Sequence, residues 1–342
     1  MVLKKATIND VAAHAKVSIK TVSRVINNEY GVSRATKDKV LNTIKKLQYV
    51  PNKAAQGLRS KKSFLIGLIY DNPDKFYLSD IQSGILETCA INGFSVVLFP
   101  CDYQDQKLLN KVREFILRTN LDGLILTPPI SDMKDLVQKL QEDIPISIIS
   151  PGLLTENKLC VSSDDLKASY DMTSHLIGLG HKNIGFIKGH IDHGATQYRY
   201  DGYLKALADN NIDFNKENIA QGDFSFDSGI KAAKKIFNKK DDLKITSIFA
   251  SNDAMAAGVL KVANEENILI PQEISLVGFD NSPTASQAWP SITTIEQPVK
   301  EMAAFAAQIL IDDIQNKVNK KPVSKVFDYE LVFRESVKKI KN

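Results

Sequence analysis

From Phe64 onward, strand-sized apolar runs return at regular intervals, and each is followed by a segment long enough for a helix. "FLIGLIY" (64–70), "FSVVLFP" (94–100), "LDGLILT" (121–127) and "IPISIIS" (144–150) form a first series. "NIGFIKG" (183–189), "IAQGDF" (219–224), "SIFASND" (247–253) and "ISLVGFD" (274–280) form a second. Helix-length stretches such as Leu78–Asn92 and Gln104–Thr119 lie between them. This alternation predicts parallel sheets with helices on both faces, and two series predict two α/β lobes. In open sheets of this kind a ligand sits beyond the carboxyl ends of the strands. Several strands end there in polar or aromatic residues: Tyr70-Asp71-Asn72, Asn252-Asp253 and Asp280-Asn281. A cleft between the lobes is the expected small-molecule site.

The first sixty residues follow a different rhythm. "VAAHAKVSIKTVSRVIN" (11–27) holds two apolar-periodic segments separated by "AKVS". Each is too short to be stable alone, because isolated helices below about 12–15 residues are marginal in water, so each must bury a face against its neighbours. In the second segment Ser18 is a good N-cap, and Val22, Val25 and Ile26 make the inward stripe. The opposite face carries Ile19, Lys20, Ser23, Arg24 and Asn27. Those are groups that can touch phosphates, base edges and thymine methyls. "VSRATKDKVLNTIKKLQYVPN" adds a third helix, capped by Ser33, with Val40, Ile44 and Leu47 inward and Pro51 as its stop. Three such helices suit a small DNA-binding headpiece.

Charge supports that assignment. Through Lys62 there are 14 Lys and Arg against 3 Asp and Glu, a net +11, while the remaining chain carries 30 against 37, a net −7. A basic head on an acidic body points to a polyanion partner at one end; the competing explanation is a solvated charged face. "NKAAQGLRSKK" (52–62) has little apolar surface to bury and reads as a linker that is mobile when nothing holds it. No apolar run reaches the roughly 18 residues of a membrane span, and the N-terminus lacks the apolar core of a signal peptide. Cys89, Cys101 and Cys160 stand apart without metal-ligand spacing and read as reduced, structural thiols of a cytoplasmic protein.

"TINDVAAHAKVSIKTVSRVIN" and "VSRATKDKVLNTIKKLQYVPNKAAQGLRS" resemble the headpiece and hinge of LacI/GalR-type transcriptional regulators. "LGHKNIGFIKG", "FASNDAMAAGVL", "ISLVGFDNSP" and "ITTIEQPVKEMA" resemble that family's effector-binding core. The likeness runs over nearly the whole chain in the same motif order. It implies an all-α helix-turn-helix headpiece over residues 1–51 and a hinge helix over 52–62. A two-lobed, periplasmic-binding-protein-like α/β core with parallel sheets follows, one lobe from 63–163 and 292–322, the other from 164–291 and 323–342.

By the same resemblance Ile19, Lys20 and Arg24 read bases, and Thr7, Ser18, Thr21, Asn27 and Ser33 position the headpiece on the DNA backbone. Leu58 falls where the family places a minor-groove wedge, with Asn52, Ala55 and Tyr49 beside it. A plain basic linker is the alternative for that segment, and Gly57 lowers its helix propensity. Lys16 stands where the family often has glycine; a left-handed lysine there costs on the order of 1 kcal/mol. In the core the resemblance places Tyr77, Arg199, Phe224, Asn252 and Asp280 in the cleft. A guanidinium at Arg199 can fork two hydroxyls or a carboxylate. Tyr77, Phe224 and Trp289 offer flat faces suited to pyranose rings or bases, although an aromatic alone is more often core than ligand platform, and Trp289 reads equally as either. Ser150 replaces an aspartate common among relatives, which removes one hydroxyl-clamping carboxylate.

Other signals carry less. His190 and His193 in "GHIDHG" lack a third ligand of suitable spacing and read as polar loop or pocket lining, so no metal and no cofactor is expected. The glycines of "GLGHKNIG" follow a helix and precede a strand, the reverse of the dinucleotide-binding order. Asp164-Asp165 reads as a helix cap and not as a catalytic dyad. Three classes compete: an allosteric operator-binding regulator, an exported sugar-binding protein and a sugar-modifying enzyme. The second needs an export signal where a basic helix-turn-helix stands, and the third needs catalytic motifs that do not appear. The expectation is a regulator, not an enzyme, acting as a homodimer on palindromic operator DNA. Its expected effector is a sugar, with a purine as runner-up. The absence of a leucine-heptad tail argues against a tetramer.

Overall fold

A computed structural model describes residues 6–26, 29–49, 62–150, 159–238, 245–316 and 323–340. The chain divides into two compact units, Met1–Phe64 and Leu65–Asn342. Asn27, Asn52, Ala55, Gly57 and Leu58, on which the backbone and hinge expectations rest, lie outside the described residues.

The first unit contains α1 (Ile8–Ala15), α2 (Ile19–Ile26) and α3 (Arg34–Lys46). Each begins at a hydroxyl that satisfies an otherwise orphaned N–H. Thr7 and Asp10 form a reciprocal capping box on α1, Ser18 Oγ accepts from the Thr21 N–H at 3.1 Å, and Ser33 Oγ accepts from the Thr36 N–H at 3.3 Å. The three helices close on Val11, Ala15, Val22, Val25 and Val40, with Ile26, Ile44, Leu47 and Tyr49 packed around them. The turn between α1 and α2 is left-handed at Lys16, with φ 49° and ψ 48°. Lysine therefore does hold the conformation that glycine adopts without steric cost.

The second unit begins with β1 (Leu65–Tyr70), α4 (Lys75–Ile91), β2 (Ser95–Pro100), α5 (Leu108–Thr119), β3 (Gly123–Leu126), α6 (Lys134–Gln141), β4 (Ile146–Ile149) and β5 (Leu159–Ser163). It continues with α7 (Asp165–Gly178), β6 (Ile184–Lys188), α8 (Gly194–Asp209), β7 (Ile219–Gln221), α9 (Phe226–Phe237), β8 (Ser247–Ala250), α10 (Asp253–Glu265) and β9 (Ser275–Val277). Last come α11 (Pro283–Gln287), β10 (Thr294–Glu296), α12 (Val299–Ile314), β11 (Val323–Phe327) and β12 (Glu330–Val332). One sheet runs β11-β5-β4-β3-β1-β2 and another β7-β6-β8-β9, both parallel throughout. β10 and β12 form a short antiparallel pair. In each large sheet the chain runs outward from a central strand, β1 or β6, and then returns to its other side. That reversal opens a crevice at the strands' carboxyl ends.

The lobes repeat one packing device. The first helix after the central strand crosses another helix through a glycine with no room for a side chain. A Cβ on Gly84 of α4 would lie 2.2 Å from the Lys300 carbonyl oxygen of α12. A Cβ on Gly202 of α8 would lie 2.2 Å from the Leu166 carbonyl oxygen of α7.

Two lobe boundaries differ from expectation. Residues 292–296 were expected in the first lobe, yet Ile292 is buried in the second lobe's core and Thr293 bridges Val277 of β9. Residues 323–327 were expected in the second lobe, yet β11 pairs with β5 at the edge of the first lobe's sheet. The chain therefore crosses between lobes at Ser163–Asp164, at Glu296–Gln297 and after Phe327. Ser324, Lys325 and Val326 are exposed on that edge strand, so its sequence lacks the apolar run that marks the other strands.

Candidate functional site

Two surfaces concern function, and each belongs to one unit. On the headpiece, α2 turns Val22 and Val25 inward and leaves Ile19 at 42 % exposure beside the exposed Lys20 and the half-buried Arg24. Thr7, Ser18 and Ser33 sit at the N-termini of α1, α2 and α3, and Thr21 lies in the first turn of α2, its hydroxyl 2.9 Å from Ser18 Oγ. Helix N-termini favour anions, so hydroxyls placed there can approach phosphates. Tyr49 packs on the headpiece core, where burial raises its phenol pKa.

In the core, a cavity lies where the strands of both sheets end. It holds about 420 Å³ of unfilled space, part of it open to solvent. Tyr77, Arg199, Phe224, Asn252 and Asp280 all line it, together with Asn72, Asp74, Pro128, Ser150, Asp165, His193, Ala195 and Gln297. Ser150 follows β4, Phe224 follows β7 and Asp280 follows β9, and all three have left-handed backbones, with φ of 49°, 70° and 101°. Backbone strain of this kind costs on the order of 1–3 kcal/mol per residue and persists where surrounding structure enforces it.

The centre of the cavity wall is Arg199, 5 % exposed on α8. Its Nε donates to Asp165 Oδ1 at 2.9 Å and its Nη1 to the Ser251 carbonyl at 2.5 Å, while Nη2 lies 3.6 Å from Asp280 Oδ1. The guanidinium also stacks over the Phe279 ring at 3.6 Å from its centroid. Burial alone would lower its pKa, but Asp165 and Asp280 outweigh that and raise it. Burial raises Asp165 against the opposing pull of Arg199. Asp280 is pushed up to about 6, chiefly by burial, with Arg199 opposing and Asp74 adding to the rise. Gln297 Nε2 donates to Asp280 Oδ1 at 2.7 Å, and its Oε1 accepts from Ser163 Oγ at 2.9 Å. This ties the carboxylate to two of the interlobe crossings.

Bonds also span the cleft. Asn252 Nδ2 donates to Asp74 Oδ2 across the cleft at 3.0 Å and, within its own lobe, to the Phe224 carbonyl at 2.9 Å. Tyr103 O–H donates to Asp192 Oδ2 at 2.5 Å, and the Gly194 N–H donates to Asp132 Oδ2 at 3.0 Å. Tyr77 O–H donates to Ser150 Oγ at 3.2 Å, so the serine that stands for aspartate bonds within the wall. Burial holds the Tyr77 phenol well above its ordinary pKa. Burial and the neighbouring His190 and Arg199 push His193 down to about 3, so its imidazole is neutral.

Trp289 does not belong to this site. It is 80 % exposed and does not line the cavity, because the segment after α11 is anchored by Ala285 and Ile292 and leaves the indole outside. The reading of Asp164-Asp165 as a cap holds for one residue only. Asp164 accepts from the Lys167 N–H at 2.9 Å, whereas Asp165, 8 % exposed, is the buried partner of Arg199. A buried carboxylate needs a charge partner, but only the fold shows that Asp165 is buried. Asp74, Gln297 and Ala195 carried no signal in the sequence. His193 lines the pocket, as one of its two readings had it. Among the described residues no group of three or more His, Cys, Asp or Glu could hold a metal, and no helix is long and apolar enough to cross a membrane.

Comparison with known proteins covers both units. Residues 7–52 match the family described as bacterial regulatory proteins, lacI family, and residues 173–337 match a periplasmic binding protein-like domain. The HTH-type transcriptional repressor PurR of Vibrio vulnificus (strain CMCP6) is 32 % identical over 98 % of this chain and 99 % of its own. A transcriptional regulator CelR–cellobiose complex superposes with a TM-score of 0.74 at 28 % identity, covering 97 % of this chain and all of that one. A lac repressor dimer bound to operator and the anti-inducer ONPF gives 0.80 at 26 % identity, covering 98 % and 100 %.

Proposed function

The chain belongs to the LacI family of bacterial regulatory proteins, and from that premise we propose that it is a repressor released or recruited by a sugar held between its lobes. Family membership makes it a DNA-binding transcriptional regulator under allosteric control by a small molecule. The sugar is the finer step. One observation carries it: Asp280, braced by Gln297 and beside the Arg199–Asp165 pair, shares the cavity with the Phe224 ring. Such a wall presents hydrogen-bonding groups to the edge of a ring and an apolar surface to its face, as a pyranose requires. The CelR relative with cellobiose supports a carbohydrate. A purine is the second reading, favoured by Tyr77 and Phe224 lining one cavity without an aspartate at Ser150.

On the DNA side Ile19, Lys20 and Arg24 read base edges from the major groove, while Thr7, Ser18, Thr21 and Ser33, with Asn27, contact phosphates. Tyr49, Asn52, Ala55 and Leu58 act at the minor groove. The protein works in the cytoplasm, where its DNA lies, as a homodimer on a palindromic operator, since two-fold symmetry in the protein asks for two-fold symmetry in the site. Calorimetry on the full chain with mono- and disaccharides and with hypoxanthine tests the effector, and gel shifts with and without the binder test the coupling. Hypoxanthine binding with no response to any sugar would overturn the carbohydrate reading.

A further inference from the structure

Carboxylates outnumber cations in the lining of the cleft. Among the described residues Asp74, Asp165 and Asp280 face it with Arg199 as the permanent cation, and His193 is neutral. Arg199 has little left for an incoming anion: Asp165, the Ser251 carbonyl and Asp280 surround its guanidinium on three sides. Helix N-termini are the usual backbone receptors for phosphate. Three helices that begin beside residues of this cavity each give N–H groups of the first turn to the chain's own side chains. Asp74 Oδ1 accepts from the Phe76 and Tyr77 N–H groups of α4. Asp132 accepts from the first N–H of α8, and Asn252 Oδ1 accepts from the Met255 N–H of α10.

An ionised carboxylate accepts hydrogen bonds and donates none, so this wall asks its ligand for O–H or N–H donors. A hydroxyl supplies them; a phosphate dianion brings more acceptors and like charge. We infer that the effector site takes a hydroxyl-rich, unphosphorylated ligand and rejects the phosphate ester of the same ring. This rests on the sugar reading above and adds that the regulator responds to the sugar before, and not after, its phosphorylation.

Calorimetry on the full chain decides it, using glucose, galactose and cellobiose beside glucose 6-phosphate, galactose 6-phosphate, orthophosphate and hypoxanthine. The expected result is a free sugar bound at least about tenfold more tightly than its phosphate ester, a difference of about 1.4 kcal/mol, with no saturable binding of orthophosphate. Asp165→Asn leaves the size of the side chain nearly unchanged and removes one negative charge, so it should narrow the gap between sugar and ester. The wild-type ratio stands without that variant should it misfold. An ester bound as tightly as its free sugar, or saturable orthophosphate binding in the cleft, overturns the charge selection and leaves the sugar reading intact. Binding of hypoxanthine alone overturns both.

Discussion

Asn252 reaches across the cleft to Asp74, and the two side chains that cap facing helices are thereby bonded to each other at 3.0 Å. Asp74 caps α4 in the first lobe and Asn252 caps α10 in the second, so each serves its own helix with one oxygen and the closed cleft with its remaining polar atom. Asn252→Asp separates these roles. Aspartate caps a helix as well as asparagine does, so the fold should hold, but its second oxygen would then oppose the Asp74 carboxylate. Lobe closure should weaken, with effector affinity falling roughly tenfold or more for a loss of about 1.4 kcal/mol. Calorimetry checks the affinity and circular dichroism the fold; unchanged affinity would show that this bond does not contribute to closure.

Part of this site is legible because Asn252 and Asp280 follow strands, and the rest through the family resemblance. Tyr77, Arg199, Phe224, Asn252 and Asp280 were placed in the cleft from sequence, and all five line it. What sequence hid were pairings between distant elements. An aspartate in a helix's first turn reads as a cap, and only the fold shows that Asp165 meets Arg199, 34 residues away. Gln297 looks like any polar linker residue until the crossing at Glu296–Gln297 brings it beside Asp280. Trp289 misled in the other direction, because an aromatic side chain carries no sign of whether its loop faces the cleft or solvent. β11 was missed for a related reason: an edge strand with exposed side chains has no apolar periodicity to read.

On the DNA side, Arg24→Ala should weaken operator binding by about 1–3 kcal/mol and relax preference at one base pair, the worth of a good base contact. Lys20→Ala should also make the fall of affinity with salt shallower if its ammonium neutralises a phosphate as well as reading a base. Gel shifts across a set of operator variants at two salt concentrations separate the two effects. An Arg24→Ala protein that keeps both its affinity and its base preference would remove Arg24 from the reading face.

The glycine contacts predict a contrast in stability. Gly202→Ala would put a Cβ 2.2 Å from the Leu166 carbonyl oxygen and 2.9 Å from the Tyr170 nitrogen, so α7 and α8 must part. Overpacking of that kind costs about 1–3 kcal/mol. Gly178→Ala, at the end of α7, meets nothing within 4 Å and should be neutral or stabilising by up to about 1 kcal/mol. Denaturant unfolding of the two variants should move their midpoints apart, and equal midpoints would mean that the helix pair tolerates a wider separation.

Asp280 makes stability depend on pH in the direction opposite to a surface carboxylate. Burial raises its pKa to about 6, above the roughly 3.9 of an unfolded aspartate. The folded protein therefore holds this proton more tightly than the unfolded chain does. The resulting stabilisation is complete below about pH 4 and is lost as pH rises through 6, up to about 3 kcal/mol by pH 7. Asp280→Asn removes that titration and also the charge that helps raise the Asp253 pKa, so any fall at Asp253 moves the comparison in the same direction. Thermal unfolding from pH 4.5 to 7.5 should thus show a smaller decline, or a steeper rise, for the variant than for the wild type. Effector affinity in the wild type should climb over the same interval, because ligand hydroxyls bond best to an ionised carboxylate. Parallel stability curves for the two proteins would mean that Asp280 keeps an ordinary pKa in the folded cleft.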